Sequence, residues 1–450
     1  MNQITFGARR DAWDSLPAYQ AFNVNHLRKL PQLGRFSDDE LFAMEVVAQV
    51  LPFKTNNYVV DELIDWTDPY ADPMFVLTFP QRDMLRPEHF DEMAAVLRSG
   101  ADRRTVRETA DRIRWQLNPH PAGQERNLPE HDGEQLRGVQ HKYRETVLFF
   151  PSQGQTCHAY CSFCFRWPQF VGIGELKFAM KEADRLIDYL RAHPEVSDVL
   201  VTGGDPLIMK SETLAAYLDA LVQARLPNLR TIRLGTKSLS YWPYKFFAEP
   251  GAATLLDAFR RVTDAGIHLA FMAHFNHPRE LSTEAVEIAI AKVRETGAEI
   301  RTQSPVLAHI NDEPALWARM WQRQVELGCV PYYMFAVRDT GAQHYFGLSL
   351  ARAHAIYRDA FTRVSGLART VRGPSMSTDP GKVHIVGVSE IGGEKVFVLQ
   401  FLQGREPDWA LRPFFARYDE HAVWLDELQP AFGERHFFFE DETRAGHDAA

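Results

Sequence analysis

Three of the four cysteines in this chain of 450 residues lie within eight positions, in the segment CHAYCSFC. Cys157, Cys161 and Cys164 have three and two residues between them. Thiolates select iron–sulfur clusters or zinc, and three of them can bind three irons of one [4Fe-4S] cubane. The fourth iron then has no protein ligand. The alternative is a structural zinc site that takes His158 or a remote residue as its fourth ligand.

An iron without a protein ligand has a specific chemical use. It can be chelated by the amino and carboxylate groups of S-adenosylmethionine, which places the sulfonium beside a one-electron donor. The cysteines follow the first predicted strand of a parallel sheet, and barrels of parallel strands keep their chemistry at that end. The segment therefore predicts a radical enzyme.

Short β-branched or aromatic runs alternate with longer helical patterns after residue 145, as in repeated strand–helix units of a parallel sheet. The predicted strands are 146–152, 198–204, 231–236, 268–275, 299–307 and 330–337. The predicted helices are 178–192, 211–225, 252–265, 282–296, 313–327 and 349–365. Six units are too few to close the usual eight-stranded barrel. We therefore predict an α/β fold with a partial (β/α)6 TIM-like barrel that is open on one side.

The rest of the sequence differs in pattern from this central part. KVHIVGVSEIGGEKVFVLQFL, at 382–402, predicts a β-hairpin that turns at Gly392 and Gly393. The predicted regions are a mostly helical and loop-rich N-terminal region (1–140), the barrel (141–365) and a C-terminal extension with the hairpin (366–450).

The composition is typical of a soluble globular protein, with 45% hydrophobic and 24% charged residues. The formal net charge of −9 and the lack of a basic block argue against a nucleic-acid partner. No apolar run is long enough for a membrane span or a leader, so we predict no membrane partner and a cytoplasmic location. Cys329, the fourth cysteine, is predicted to be a small core residue.

Two motifs resemble those of the radical S-adenosylmethionine superfamily. The cysteine spacing, with Phe163 just before the last cysteine, is similar to the superfamily signature, and TGGDP at 202–206 resembles its glycine motif. Glycines after a strand also suit a tight turn. The resemblance implies a site for S-adenosylmethionine lined by Gly203, Gly204, Asp205, His274 and Gln303.

Further blocks, spread over residues 141–382, are similar to the lysine 2,3-aminomutase family. They are HKY, YCSFCFR, DVLVTGGDPL, RLGTK, HFNHP, TQSPVL, ND and PYYMF. The resemblance implies a partial barrel of the radical S-adenosylmethionine type. It also implies an enzyme, an isomerase that moves an amino group from Cα to Cβ and uses pyridoxal phosphate as a further cofactor.

Individual residues match positions of that family. Lys382 matches the lysine that binds pyridoxal phosphate, although the glycine-rich segment before it is reduced to one glycine. Arg166 matches the arginine that binds the substrate carboxylate, a task that suits a bidentate guanidinium. The residues matched to the phosphate site are Lys142, Tyr143 and Arg144.

The match is weakest where the lysine-specific members place two aspartates around the ammonium group of the substrate. The first position holds Arg338 or its neighbour Asp339, and the second holds Ser375 or Thr378. A buried arginine repels a cationic side chain. The sequence therefore favours an acidic or neutral amino acid as substrate, with glutamate as the leading candidate.

Two alternatives remain at this point. One is a radical enzyme without pyridoxal phosphate that performs an epimerisation, a dehydrogenation or another rearrangement. The other is a non-catalytic iron–sulfur or zinc protein. The predicted partners are a small amino acid, an electron donor such as flavodoxin or ferredoxin, and a second copy of the chain in a homo-oligomer.

Overall fold

A computed structural model describes residues 16–118, 126–172 and 178–440 of the protein. Its main feature is an 11-stranded sheet with the strand order β15-β14-β13-β12-β11-β10-β9-β8-β7-β6-β5. Two ribbons of two strands each lie outside this sheet: β1 (Ala21–Asn23) with β2 (Lys54–Asn56), and β3 (Glu130–His131) with β4 (Glu134–Gln135). The strands of the large sheet are β5 (Val139–Tyr143), β6 (Thr146–Phe149), β7 (Asp198–Val201), β8 (Thr231–Thr236), β9 (His268–His274), β10 (Glu299–Pro305), β11 (Val330–Phe335), β12 (Arg372–Ser377), β13 (Gly381–Ile391), β14 (Glu394–Gly404) and β15 (Pro413–Arg417).

Strands β6 to β12 are parallel, and each pairs with the next strand along the chain. One long helix lies between each pair of successive strands. These helices are Ala183–Ala192, Ser211–Gln223, Ala252–Asp264, Glu284–Arg294, Pro314–Glu326 and Leu350–Phe361. The α/β class and the six predicted strand–helix units are confirmed.

Apolar periodicity explains how the helices pack on the sheet. In the helix Ala252–Asp264, Leu255, Phe259 and Val262 share one face and are fully buried. The ring centre of Phe259 lies 5.2 Å from that of Phe271 in β9. The side of each strand that faces the helices therefore contributes to the core. The opposite side carries polar residues such as Arg233 in β8.

Antiparallel strands continue the sheet beyond β12. The hairpin of β13 and β14 turns at Gly392 and Gly393, which have φ values of 61° and 83°. A two-residue hairpin turn of type I′ requires positive φ at both positions, so the predicted hairpin is confirmed. Strands β12 and β15 were not predicted. Strands β5 and β15 stand at the two ends of the strand order, and in the described residues no pairing joins them.

The N-terminal region is mostly helical in its described residues. Its α-helices are Asp38–Val50, Pro73–Thr78, Pro87–Arg98 and Arg103–Gln116. Their buried apolar residues form one core with Trp167, which follows β6, and with Tyr241 and Trp242, which follow β8. The N-terminal region therefore packs against segments that follow the carboxyl ends of the parallel strands. Within the described ranges, no helix has the length and apolar character that crossing a membrane requires.

The loop that carries the three cysteines rests on the turn after β7. The Gly204 amide donates a 3.0 Å hydrogen bond to the Gly154 carbonyl, and the Asp205 amide donates one of 2.8 Å to the Thr156 carbonyl. A Cβ atom added to Gly204 would lie 2.3 Å from the Thr156 oxygen. Only glycine permits this close approach, and the approach fixes the backbone that leads into Cys157.

Replacement of Gly204 by alanine tests this contact. We expect Gly204→Ala to lower the free energy of unfolding by about 1–3 kcal/mol, because the backbone of Thr156 occupies the place of the new methyl group. Urea denaturation measures the change. Gly366→Ala is the matched control, since no atom lies within 4 Å of its added Cβ. Equal stability of Gly204→Ala and the wild type would contradict the proposed close contact.

Candidate active site

The three cysteines lie between β6 and the short helix Trp167–Phe170, and two consecutive tight turns begin at Cys161 and Cys164. The Cys164 amide donates to the Cys161 carbonyl, and the Trp167 amide donates to the Cys164 carbonyl, each over 3.1 Å. All three thiols belong to partly exposed residues, whereas Cys329 is buried. The prediction of Cys329 as a core residue is confirmed. The three cysteines are close enough for Cys161 and Cys164 to act electrostatically on Cys157.

The thiols occupy a poorly solvated environment. Burial raises the pKa of Cys164 to about 12 and raises the pKa values of Cys157 and Cys161. The Tyr241 hydroxyl lies 3.5 Å from the Cys161 sulfur. A metal ion or cluster deprotonates the thiols that bind it, which overcomes this preference for the neutral form.

The donor set fits an iron–sulfur cluster better than zinc. Within the described ranges, no three histidine, cysteine, aspartate or glutamate side chains converge around a single metal ion. His158, the candidate fourth zinc ligand, is buried, and its Nδ1 lies 2.9 Å from the Ser238 hydroxyl. Three thiols without a fourth protein ligand are the donors that an open [4Fe-4S] cluster needs.

The N-terminal region holds the cysteine loop. The Tyr160 amide donates a 2.7 Å hydrogen bond to the carbonyl of Lys54 in β2. The His158 carbonyl accepts from Asn56 Nδ2 at 3.2 Å and from the Tyr19 hydroxyl at 2.8 Å. The N-terminal region therefore has a structural role in holding the cysteine loop, although its sequence contains no functional motif.

Asp205 of the glycine motif is buried and accepts several hydrogen bonds. Its carboxylate accepts hydrogen bonds from the amides of Leu207 and Lys237 and from the hydroxyls of Thr236 and Ser238, at 2.8–3.0 Å. Burial raises the pKa of Asp205, and these hydrogen bonds oppose that shift. Asp205 therefore links the turn after β7 to the end of β8, and through Ser238 to His158 of the cysteine loop.

His274 and Gln303, both matched to the S-adenosylmethionine site, are neighbours at the ends of β9 and β10. Gln303 Nε2 lies 2.7 Å from His274 Nε2. Burial lowers the pKa of His274 to about 3, and the positive charges of Lys237 and Arg166 act in the same direction. The imidazole is therefore neutral at pH 7, and its Nε2 accepts a hydrogen bond from the Gln303 amide.

Lys382 lies on β13 with its ammonium group over aromatic rings. Its Nζ is 4.1 Å from the ring centre of Tyr333 and 5.7 Å from that of Phe335. Burial lowers the pKa of Lys382 to about 8, and Arg233 and Arg372 add to the shift against the opposing effect of Tyr332. An amine in this state is a better nucleophile at neutral pH than an exposed lysine.

Lys142 and Tyr143 also belong to this part of the site. Lys142 Nζ donates to the carbonyl of Thr378, in the segment that leads to Lys382, and lies 5.4 Å from the ring centre of Tyr143. Burial lowers the pKa of Lys142 to about 7, with Arg405 and Arg338 contributing. Burial also raises the pKa of Tyr143.

Arg144 is placed differently from these two residues. It lies in the tight turn between β5 and β6, and it is exposed. Arg405, which was not predicted, instead reaches the lysine segment: its Nη2 is 2.7 Å from Asp379 Oδ1, and its Nε donates to the Asp379 carbonyl over 3.0 Å. No motif in the sequence marks Arg405, because it follows β14, far along the chain from the other site residues.

The guanidinium groups of Arg166 and Arg338 both lie near the ring of Phe165. Their Cζ atoms are 5.1 Å and 5.4 Å from the ring centre of Phe165. Burial lowers the pKa of Arg166 to about 10, to which the charge of Arg338 contributes. The Nε of Arg338 is buried without a hydrogen bond and is 3.8 Å from Asp339 Oδ1. The Nε of Arg338 therefore retains a donor within the described part of the protein.

Comparison with solved structures gives weak likenesses. One is the radical S-adenosylmethionine methyltransferase TsrM from Kitasatospora setae with tryptophan and a S-adenosylmethionine analogue bound, at a TM-score of 0.28 and 14% identity over 44% of this chain and 36% of that one. Another is Streptococcus suis SuiB bound to the precursor peptide SuiA, at a TM-score of 0.34 and 11% identity over 66% of this chain and 62% of that one. At these scores neither supports a conclusion about function.

Comparison with curated sequences is more informative. No protein-family model matches the chain. A putative L-lysine 2,3-aminomutase of Aquifex aeolicus is 28% identical over 411 residues, which cover 91% of this chain and 96% of that protein. The L-lysine 2,3-aminomutase of Clostridium subterminale is 27% identical over 53% of this chain, and the match spans only 54% of that enzyme. The Escherichia coli enzyme of the same name is 27% identical over 54% of this chain and 68% of its own length. The chain is therefore similar, over most of its length, to a protein named as a putative L-lysine 2,3-aminomutase and, over about half of its length, to enzymes named L-lysine 2,3-aminomutase, as its motifs predicted.

Proposed function

We propose that the protein is a 2,3-aminomutase that binds pyridoxal phosphate at Lys382 and acts on an acidic amino acid. The six strand–helix units form the partial barrel of a radical S-adenosylmethionine enzyme in this proposal. When bound, the cluster and S-adenosylmethionine supply a hydrogen-abstracting radical, and pyridoxal phosphate supplies the group that carries the migrating nitrogen. A one-electron donor, such as flavodoxin or ferredoxin, reduces the cluster.

The proposal rests mainly on the surroundings and the lowered pKa of Lys382. No described carboxylate forms an ion pair with this lysine, and its Nζ lies over the Tyr333 ring at 4.1 Å. A pKa of about 8 leaves roughly one molecule in ten with a neutral amine at pH 7, against fewer than about one in a thousand for an ordinary lysine. A surface lysine at the start of a hairpin would have neither feature. Lys382 thus has the environment of an amine that condenses with a carbonyl group.

Two cationic side chains, Lys142 and Arg405, contact the segment that precedes Lys382, and cations of this kind suit a phosphate group. Lys142 contacts this segment through Thr378, and Arg405 contacts it through Asp379. We assign the phosphate to Lys142 and Tyr143, with Arg405 in the place predicted for the exposed Arg144. A bound phosphate would raise the lowered pKa of Lys142, because a nearby negative charge favours the ammonium form.

The two arginines beside Phe165 suggest a substrate with two carboxylates. Arg166 is assigned to the α-carboxylate, and Arg338 is assigned to a carboxylate on the substrate side chain. An ammonium group beside Arg338 would be repelled, which disfavours lysine. Two observations favour lysine as the second candidate: the names of the relatives, and the carboxylate of Asp339 next to Arg338.

Covalent labelling tests the assignment of Lys382. The protein is reconstituted anaerobically with iron, sulfide and pyridoxal phosphate, reduced with borohydride, and digested for peptide mass spectrometry. We expect a stoichiometric pyridoxyl adduct on Lys382. The labelling rate should rise with pH and level off above about pH 8, because only the neutral amine reacts.

Two variants make the labelling result specific. Lys382→Met should abolish the adduct, and Lys142→Met should retain it with weaker affinity for pyridoxal phosphate. Lys142 is the rival nucleophile because burial lowers its pKa to about 7. An adduct on Lys142 would refute the assignment. The absence of any site adduct in a protein that holds its cluster would favour the radical enzyme without pyridoxal phosphate.

Substrate competition tests the role of Arg338. In a mixture of glutamate, aspartate, alanine and lysine, we expect the wild type to isomerise an acidic amino acid fastest. Arg338→Asp should lower kcat/KM for that substrate about 10- to 100-fold, since a hydrogen bond to a charged group contributes roughly 1.5–3 kcal/mol and the new carboxylate repels the substrate. Chromatography with mass detection measures the β-amino acid products.

The controls separate charge from structural damage. Arg338→Lys keeps the charge without the planar fork, so it should retain part of the preference. Arg363→Asp makes the same charge change at an exposed position after the helix Leu350–Phe361 and should have no effect. The acidic-substrate proposal is wrong if lysine is the best substrate and Arg338→Asp leaves that preference unchanged.

A further inference from the structure

Lys54, from the N-terminal region, places an ammonium group against a predicted cluster ligand. Its Nζ donates a 2.7 Å hydrogen bond to the Cys157 carbonyl and lies 3.4 Å from the Thr156 hydroxyl. The ring centres of Tyr19 and Tyr160 are 5.9 Å and 6.0 Å from the same atom. No described carboxylate forms an ion pair with Lys54. A half-buried cation therefore lies beside Cys157 without a counter-charge from the described protein.

The other lysine near the cysteines differs in this respect. Lys237 forms an ion pair with the buried Glu280 and also donates to Asn276 Oδ1 over 2.8 Å. Its charge is balanced within the protein. Arg166, close to Cys164, is assigned to the substrate carboxylate in the proposed function. Among these three cations, Lys54 is the one whose charge has no assigned partner other than the cluster.

We propose that Lys54 raises the reduction potential of the cluster by holding a positive charge beside the Cys157 ligand. This proposal rests on the part of the proposed function that places a [4Fe-4S] cluster on Cys157, Cys161 and Cys164. One electron from an external one-electron reductant enters the cluster, whose charge becomes more negative by one unit, and no bond in the protein changes. A cation nearby stabilises the reduced form more than the oxidised form.

The surroundings of Lys54 strengthen this effect. The two tyrosine rings limit the access of water to the ammonium group, and Coulomb interactions are screened less where water is excluded. The hydrogen bond to the Cys157 carbonyl fixes the charge near the ligand. Strand β2 is in turn anchored to the loop by Asn56, which donates to the His158 carbonyl. Lys54 is therefore a positioning and tuning residue that need not touch the substrate.

A redox titration of the full-length chain tests the proposal. The protein is reconstituted anaerobically with iron and sulfide, without pyridoxal phosphate or an amino acid. It is then titrated with dithionite in the presence of mediators, while electron paramagnetic resonance reports the reduced cluster. We expect Lys54→Gln to lower the equilibrium constant for reduction about tenfold, which is a shift of about 59 mV to more negative potential for one electron. Lys54→Arg, which keeps the charge, should stay within about twofold of the wild type.

Two control variants distinguish charge from loop geometry. Lys210→Gln removes a charge at an exposed position and should leave the potential unchanged. Asn56→Ala removes a neutral contact between the same strand and the same loop. We expect it to weaken cluster retention without the tenfold shift in the clusters that remain. An equal shift in Asn56→Ala and Lys54→Gln would refute the electrostatic role.

The remaining outcomes also decide the question. A Lys54→Gln protein with full iron content and the wild-type potential would overturn the proposal. If Lys54→Gln loses the cluster while Lys54→Arg retains it, the charge is required and the proposal is supported. Equal loss in both variants would overturn it. A wild type that binds no [4Fe-4S] cluster would overturn both this proposal and the proposed function, whereas a missing pyridoxyl adduct affects the proposed function alone.

Discussion

The backbone contact between the turn after β7 and the segment before Cys157 is the constraint on which the site depends. Gly204 has no side chain, so its backbone can approach Thr156 more closely than any other residue would permit. The Asp205 carboxylate then binds donors at the end of β8, one of which, Ser238, also contacts His158. The cysteine loop is thus fixed to two strands of the parallel sheet. The position of the thiols follows from this network and not from their spacing in the sequence alone.

Buried positive charge is the second feature of the site. Burial of a cation without a partner is costly, and a protein tolerates it where a ligand supplies the opposite charge. Lys142 and Lys382 can lower this cost by losing a proton, as their lowered pKa values of about 7 and 8 indicate. An arginine remains charged at pH 7, and Arg166 and Arg338 are stabilised by the face of Phe165. This pattern supports the two proposed ligands, a phosphate group and a dicarboxylate.

Local patterns in the sequence were sufficient to predict most of the sheet. The six strand–helix units have strong apolar periodicity, and the hairpin has two glycines where positive φ is needed. Strand β12 was missed because RGPSMS contains no β-branched residue, so only its pairing with β11 reveals it. The cysteines, Lys382 and Arg166 were selected from motifs, and their roles stay predictions. Motifs do not identify Lys54 and Arg405, because each contacts the predicted site residues from a distant part of the chain.

The position of Arg144 shows why a motif match does not determine a contact. Lys142 and Arg144 are two residues apart, so both would point to the same side if β5 continued. Strand β5 instead ends at Tyr143, and the chain turns into β6 at Thr146. The turn directs Arg144 into solvent, while Lys142 stays within the sheet and reaches the carbonyl of Thr378. Arg405, which directly follows β14, instead reaches Asp379 in the segment before Lys382. The tight turn between β5 and β6 therefore removes Arg144 from the segment before Lys382, and Arg405 supplies a guanidinium group to that segment.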